Sequence, residues 1–476
     1  MAKEKQQLKK SLNPLSVWAI AFGCIIGWGS FINPGKKFLP NSGVAGTAIA
    51  MLLGALVMVI IAVSYAYMVP KHPKAGGEFT FTKSNFGKIP AFICGWFLVA
   101  AYLTNVPMNS TAIPLIMDGL FGKTAVSWGV GSYSVAGSTV YLGGIVVAVL
   151  FLVGFAILNI LGVEKAGFIQ KALAITLAVC AFTLCVAGIV TGIKDGVHFQ
   201  NILWGFDKTL FKDSGTYQVN QFLPAILATF AIAPWAFVGF DTIPQAAEEF
   251  KFPFKKVIKI MVIAICFGAF VYISNNTICA IALENWPELC VEGKWVVLVA
   301  AEKMLGIFGK ILVGFGVASA VLSGMMGFYL ASSRLMWSMA KDGYLPKVFG
   351  KLDAKHSTPK NALIFCLAIS LVGPFLGREA LGWFVDMSAI GASIGFFFTS
   401  FCAAREMRRE KDGNKFKFVC AVLGVVFSVL FVILQLVPIP GLEGVHFEWQ
   451  SYVMLGVWIL LGAIFYLFNE KRKSKQ

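Results

Sequence analysis

The chain has 476 residues, of which 58% are hydrophobic and only 13% carry a charge. Soluble proteins carry about 25% charged residues, so this composition excludes a set of water-soluble domains and indicates a protein embedded in lipid. The apolar stretches run for about 20 residues or more without the alternation of barrel strands, which predicts an all-α bundle of transmembrane helices.

The net charge of +16, from 40 basic and 24 acidic side chains, raises the question of nucleic acid binding. In membrane proteins, however, Lys and Arg collect in the cytoplasmic loops. If both termini are cytoplasmic, 30 of the 40 basic residues lie on the cytoplasmic side of the predicted spans. We therefore expect a multi-pass protein of the cytoplasmic membrane, with both termini inside and no nucleic acid partner.

Twelve apolar segments are predicted to span the bilayer. Their approximate cores are 17–34, 46–69, 89–117, 140–161, 168–190, 221–243, 258–282, 305–338, 361–377, 380–403, 416–437 and 451–468. Lysines before the first segment suggest a signal peptide, but the apolar run is long and has no cleavage site. We expect it to be retained as the first span.

Helix-breaking residues interrupt the first and sixth spans near the middle. Span one contains Gly27 and Gly29, and span six contains Pro234 and Gly239. Because glycine costs about 1 kcal/mol and proline about 3 kcal/mol in a helix interior, both helices are predicted to be discontinuous. Two such spans, five spans apart, indicate an inverted repeat with a substrate site at its centre. Alternatively, the glycines only allow helices to pack closely.

A broken helix also suggests what would bind. It presents N–H groups at the start of one half and C=O groups at the end of the other, with the helix dipoles adding partial charge. We expect an amino acid carboxylate on the N–H groups after Gly29. Its ammonium would meet carbonyl groups at residues 24–26 and 232–235.

These features resemble the amino acid permeases of the amino acid/polyamine/organocation superfamily. The resemblance covers nearly the whole chain, and its further motifs are Ser64-Tyr65-Ala66, the loop at 73–80, residues 158–163, Gly239-Phe240-Asp241 and Ser333-Arg334-Leu335. It implies the LeuT-like fold, with a five-plus-five inverted repeat and two additional C-terminal helices. The implied layout is a tail at 1–14, repeat one at 15–193, repeat two at 218–404, extra helices at 416–468 and a tail at 469–476, with one transporter domain over 15–468.

The resemblance also implies the residues of the site. Gly27, Gly29 and Ser30 match the segment that binds the substrate carboxylate, Trp235 matches a gating aromatic residue, and Asp241 is a candidate for gating or coupling. The full set of substrate-binding residues implied is Ile26, Gly27, Trp28, Gly29, Ser30, Asn105, Ile232, Trp235, Ala236, Gly239 and Phe328.

The sequence departs from the family pattern in two places. The family's Gly-Ser-Gly-Ile-Phe is replaced by the segment 27–31, Gly-Trp-Gly-Ser-Phe, which leaves the substrate open. The lysine that proton-coupled relatives carry in span five is Leu177, and span eight offers only Ser319 and Ser323 for sodium. Exchange, proton coupling and sodium coupling all stay open.

The leading interpretation is a secondary transporter of small or neutral amino acids. A permease for polyamines or other amines and a non-transporting sensor are the alternatives. No enzyme is expected, because HExxH and Walker motifs are absent from the sequence. No cofactor or metal is expected either, since the ten cysteines form no CxxC pair and suit packing. Glu248 and Glu249 are predicted to lie on a solvated cytoplasmic helix.

Overall fold

The computed structural model describes residues 8–122, 126, 131–135, 138–197, 222–377, 380–440, 442 and 445–473. Parts of the predicted tails therefore lie outside the described residues, as do positions 218–221, where the second repeat and span six are predicted to begin. The described residues are mostly helical.

The first half of the chain contains seven α-helices among its described residues. They are α1 (Pro14–Ile25), α2 (Gly29–Asn33), α3 (Leu39–Lys71), α4 (Gly77–Phe86), α5 (Lys88–Phe121), α6 (Leu142–Ile160) and α7 (Val163–Lys194). A π-helical turn, Pro34–Phe38, joins α2 to α3. An antiparallel hairpin of β1 (Ser132–Val135) and β2 (Ser138–Tyr141) precedes α6.

The second half begins with two short helices, α8 (Phe222–Phe230) and α9 (Ala233–Phe237), and two 3₁₀ turns, Phe240–Thr242 and Pro244–Glu249. The helices that follow are α10 (Val257–Ala282), α11 (Trp286–Val291), α12 (Val296–Leu305), α13 (Ile307–Lys341), α14 (Lys360–Ser370), α15 (Ala380–Glu410), α16 (Lys415–Leu436) and α17 (Trp449–Lys473). Three more 3₁₀ turns are Phe254–Lys256, Lys347–Gly350 and Gly373–Leu376.

Nine helical segments of the described chain are long and apolar enough to cross a bilayer. The three predicted spans without a full-length helix of their own are one, six and nine. Span one is divided between α1 and the 43-residue run Gly29–Lys71, span six between α8 and α9, and span nine ends early as a 3₁₀ turn. The chain is therefore a multi-pass helical membrane protein, and the short segments fall where Gly and Pro interrupt the sequence.

The helices differ in how deeply they lie within the bundle. The most apolar windows of α5, α13 and α15 are each 72% buried, whereas that of α17 is only 11% buried. Two tryptophans attach α17 to α5: Trp96 Nε1 donates to the Trp458 carbonyl at 2.9 Å, and Trp458 Nε1 donates to the Trp96 carbonyl at 3.1 Å. The core therefore centres on α5, α13 and α15, with α17 at the edge.

Candidate substrate site

The first predicted break is present between α1 and α2. The last residue of α1 is Ile25, and α2 starts only at Gly29. Within the described chain, the N–H groups of Gly27, Trp28 and Gly29 donate no hydrogen bond. Because buried N–H groups are normally paired, these three adjacent unpaired donors make the segment a candidate binding site. The Ser30 hydroxyl donates instead to the Gly27 carbonyl at 3.0 Å.

Side chains from other helices fix both sides of this break. The Tyr272 hydroxyl donates to the Ile25 carbonyl at 3.2 Å, and Asn275 Nδ2 donates to the Ser30 carbonyl at 2.9 Å. Both residues lie on α10. Span seven therefore satisfies carbonyl groups that an uninterrupted helix would have paired internally.

The second break lies in predicted span six. Pro234, the second residue of α9, has no N–H to donate, and α9 ends at Phe237. Gly239 then adopts φ 142°, which side-chain-bearing residues rarely reach. A Cβ on Gly239 would lie 2.6 Å from the Ile25 nitrogen and 2.7 Å from Cys24 Cβ. The two interrupted helices therefore touch at the end of α1.

Two indole rings cover the first break. The ring centroids of Trp28 and Trp235 are 6.4 Å apart, and both residues are buried. A Cβ built on Gly29 would collide with Cη2 of Trp235. The Trp28 Nε1–H has no hydrogen-bond partner among the described residues. The structure thus brings Trp28, Gly29 and Trp235 together in a closed, apolar arrangement.

Asn105, in the middle of α5, is directed toward α15. Its Nδ2 donates to the Ser388 hydroxyl at 2.7 Å and to the Ala101 carbonyl at 2.7 Å. One turn later, Asn109 donates through Nδ2 to the Asn105 carbonyl at 2.8 Å. Its buried Oδ1 has no partner in the described chain and lies 3.6 Å from where a Gly27 Cβ would be. Asn109, which is not among the predicted site residues, therefore lies beside the first break.

Phe328 and Asp241 belong to a second cluster. The rings of Phe328 and Tyr102 stack with centroids 6.4 Å apart. The Tyr102 hydroxyl donates to Asp241 Oδ2 at 3.0 Å, and the Gly239 N–H donates to Asp241 Oδ1 at 2.7 Å. Asp241 thereby fixes the backbone immediately after the second break.

The remaining predicted site residues are apolar parts of the broken helices. Ile26 is fully buried directly after α1, and the Ile232 carbonyl accepts from the Ala236 N–H at 3.0 Å. Ile232 therefore pairs within the first turn of α9 rather than offering a free carbonyl there.

The prediction for Glu249 is wrong. Its side chain is 1% exposed, and its Oε1 accepts from Arg334 Nε at 2.9 Å, with Arg334 fully buried. The pattern of charges around Glu249 suggested a solvated helix. It did not reveal the ion pair, because Arg334 lies on α13, far away in the sequence. Glu78, which sequence analysis treats only as part of a loop motif, is also fully buried and bonds to Gln245 of the turn after the second break.

Of the residues that the sequence suggests for ion coupling, Ser323 contacts α1. Leu177 is fully buried. The Ser323 hydroxyl donates to the Ala320 carbonyl at 3.1 Å, with a longer contact of 3.4 Å to the Gly23 carbonyl. Within the described ranges, no three His, Cys, Asp or Glu side chains are grouped as metal ligands would be.

Comparisons with known proteins identify the family of the chain. The amino acid permease family model matches residues 12–464. The branched-chain amino acid permease BcaP of Bacillus subtilis (strain 168) is 22% identical over 99% of this chain and 95% of its own length. Two further relatives are each 27% identical: the serine/threonine exchanger SteT of the same organism, over 87% of both chains, and the human large neutral amino acids transporter small subunit 2, over 77% of this chain and 64% of its own. The chain therefore belongs to the amino acid permease family.

Proposed function

We propose that this permease is a secondary transporter that moves neutral amino acids by alternating access. The observation that carries the proposal is the run of three unpaired N–H donors at residues 27–29, placed beside a second interrupted helix. Main-chain donors at a helix start suit a carboxylate, and paired broken helices mark the binding sites of secondary transporters.

In this proposal the substrate carboxylate binds the N–H groups of Gly27, Trp28 and Gly29. The ammonium group binds carbonyls at the end of α1 and the buried Oδ1 of Asn109. The Trp28 indole N–H, which lacks a partner in the described chain, supplies a donor where the family pattern has a serine hydroxyl. The other predicted site residues shape the walls around these contacts.

Trp235 serves as the gate in the same proposal. Its ring occupies the space over Gly29, so a substrate carboxylate reaches the N–H groups only after the indole moves. Asp241 supports the gate because it binds the Gly239 N–H that follows α9. Outward and return motions of these two broken helices would then alternate access to the site.

The names of the relatives support neutral substrates. They include a branched-chain amino acid permease, a large neutral amino acids transporter subunit and a serine/threonine exchanger. Around the first break, the contacts described are main-chain, amide and indole groups rather than charged side chains. An amino acid with an uncharged side chain suits that environment better than a dibasic one.

We propose twelve spans arranged as two inverted five-helix repeats, followed by α16 and α17. The predicted repeats at 15–193 and 218–404 each begin with one of the interrupted helices, which is the symmetry expected of this fold. The excess of Lys and Arg supports the cytoplasmic membrane as the location, with both termini on the cytoplasmic side.

Counterflow in proteoliposomes tests the function. Vesicles containing the full chain and loaded with unlabelled leucine or serine should accumulate the same labelled amino acid transiently, whereas protein-free vesicles should not. Binding without counterflow would indicate a sensor, and counterflow only with putrescine would indicate an amine permease. Either result would reject amino acid transport.

A further inference from the structure

Two fully buried carboxyl groups are joined by a short chain of hydrogen bonds. Glu78, on α4, accepts from the Tyr65 hydroxyl at 2.7 Å and from Gln245 Nε2 at 2.6 Å. The same Gln245 nitrogen lies 3.3 Å from the Tyr102 hydroxyl, which donates to Asp241 at 3.0 Å. The two acids thus share one polar network at the junction of α3, α4, α5 and the second broken helix.

No cation offsets the two acids within the described chain. Neither Glu78 nor Asp241 forms an ion pair there, and both are 0% exposed. The other titratable or charged groups on the surrounding elements are Cys24, Tyr65, Cys94, Tyr102, Glu248, Cys402, and the pairs Arg334–Glu249, Lys83–Asp342, His72–Glu406 and Lys71–Glu410, with Arg405 bonded to the Asn85 carbonyl. Each of the cations in these pairs, and Arg405, therefore already has a partner of its own.

Two ionised carboxylates in this place would be costly. Each buried ion without a counter-charge loses several kcal/mol of hydration, and like charges add repulsion. One proton bound by the pair neutralises one of the two carboxyl groups. The second stays a carboxylate and accepts the hydrogen bonds described. Burial, and then the charge of Asp241, raises the pKa of Glu78 to about 8.

The amide of Gln245 can accommodate the protonated form. Its Oε1 is buried and has no hydrogen-bond partner among the described residues. The two ends of an amide are interchangeable by rotation, which would place this oxygen where Nε2 now faces Glu78. It could then accept the carboxylic O–H, so both protonation states of Glu78 find a partner.

We propose that Glu78 and Asp241 together bind one proton, and that this proton is the coupling ion for transport. The inference rests on the proposed transport function. On release, one carboxyl O–H dissociates, the proton passes to water on the cytoplasmic side, and the group becomes a carboxylate. No other reactant is required.

The location of the pair explains why its proton would be coupled to the substrate. Asp241 accepts from the N–H of Gly239, the residue that lies against the end of α1. Glu78, on α4, accepts a hydrogen bond from Gln245, which lies in the 3₁₀ turn after the second break. Proton gain or loss therefore changes the hydrogen bonds that hold the second broken helix beside the first, and substrate binding at that junction changes the affinity for the proton in return.

Uptake under a proton gradient tests the proposal. Proteoliposomes containing the wild-type chain and an internal pH dye are given labelled leucine or serine, with and without an acidic exterior. We expect the gradient to stimulate uptake, and we expect addition of the amino acid to acidify the interior. Glu78→Gln should lose the stimulation, expressed as the ratio of uptake with the gradient to uptake without it in the same vesicles.

Asp386→Asn is the matched control. Asp386 is another partly buried acid, bonded to the Ser451 hydroxyl at 2.6 Å, and its replacement should leave the stimulation ratio at the wild-type value. If the wild-type protein shows counterflow but no stimulation by the gradient and no internal acidification, proton coupling is overturned and the proposed transport function stands. A full stimulation ratio in Glu78→Gln would overturn the assigned site. Absence of wild-type counterflow would reject the transport function itself. If Glu78→Gln does not fold, the wild-type measurement and Asp241→Asn, judged by the same ratio, decide the question.

Discussion

At the scale of single residues, Gly29 leaves the room that lets an indole lie over the main chain. A Cβ at this position would occupy the same space as Trp235 Cη2, so any larger residue pushes the ring away or blocks the N–H groups beneath it. The glycine is thus needed for space rather than for an unusual backbone angle.

Gly29→Ala should lower amino acid uptake by about tenfold, equivalent to about 1.4 kcal/mol of lost substrate binding. The added methyl group displaces Trp235 and crowds the carboxylate position. Gly154→Ala is the control, because a Cβ on that helical glycine meets nothing within 4 Å. Equal uptake by the two variants, at equal amounts of folded protein, would reject the role of Gly29.

Glu78 provides a second test at this scale, through the pH dependence of stability. Its pKa is about 8 in the folded protein and near 4.5 when exposed, so the folded state holds an additional proton between these values. Stability from this group is therefore fully present below about pH 4.5 and is lost as the pH rises through about 8. The unfolding midpoint of the purified protein should fall across this window, and Glu78→Gln should flatten the curve.

Asp353→Asn serves as the control for that curve. The His356 N–H donates to the Asp353 carboxylate at 2.9 Å and lowers its pKa, so this acid has lost its proton before the window begins. Its replacement should leave the slope unchanged. A wild-type midpoint that rises with pH would contradict the buried, protonated state of Glu78.

At the scale of helices, the two interruptions differ in what stabilises them. The first depends on hydrogen bonds from α10 to carbonyls on both of its sides, whereas the second depends on Pro234, Gly239 and the Asp241 carboxylate. Both were predictable from helix propensity, because Gly and Pro cluster there in otherwise apolar runs. Their supporting contacts were not predictable, because they come from residues distant in the sequence.

Asn109 and Glu249 illustrate that limit. Asn109 lies four residues after Asn105 and therefore on the same face of α5, a spacing that could have identified it. Nothing local distinguishes Glu249 from its neighbour Glu248, yet one is paired with a buried arginine of α13 and the other accepts from a loop N–H. Sequence patterns give the direction of a side chain along its own helix, but not the partner that it meets.

Gly239→Ala tests the close contact between the broken helices. The alanine must adopt φ 142° and place its Cβ against the Ile25 nitrogen, so we expect a loss of about 1–3 kcal/mol from backbone strain, with further cost from the clash. The unfolding midpoint should fall clearly. Gly456→Ala, on the exposed face of α17 with open space around the Cβ, should not lower it. A midpoint unchanged in Gly239→Ala would mean that the two helices can separate at little cost.

At the scale of the whole molecule, hydrophobic length and Lys/Arg distribution predicted the membrane class and the positions of the helices. Only nine described segments are long enough to count as spans, because the two interrupted helices and span nine are too short. The same local weakness that suggests a site therefore lowers the number of full-length spans.

The proposed orientation is testable by labelling from outside intact cells. Lys294 and Lys351 are both exposed, and the twelve-span arrangement places them on opposite sides of the membrane. Lys294→Cys should react with a membrane-impermeant maleimide, whereas Lys351→Cys should react only after the cells are opened. The unsubstituted chain reports the background from its own cysteines. The reverse pattern would invert the topology.

The paired tryptophans that attach α17 to α5 have a consequence for how this protein can change over evolution. Few residues of α17 are buried, and its contacts with the bundle include the tryptophan pair and the hydrogen bond from Ser451 to Asp386 of α15. Substitutions on the exposed face of α17 can therefore accumulate without altering the contacts of the interrupted helices.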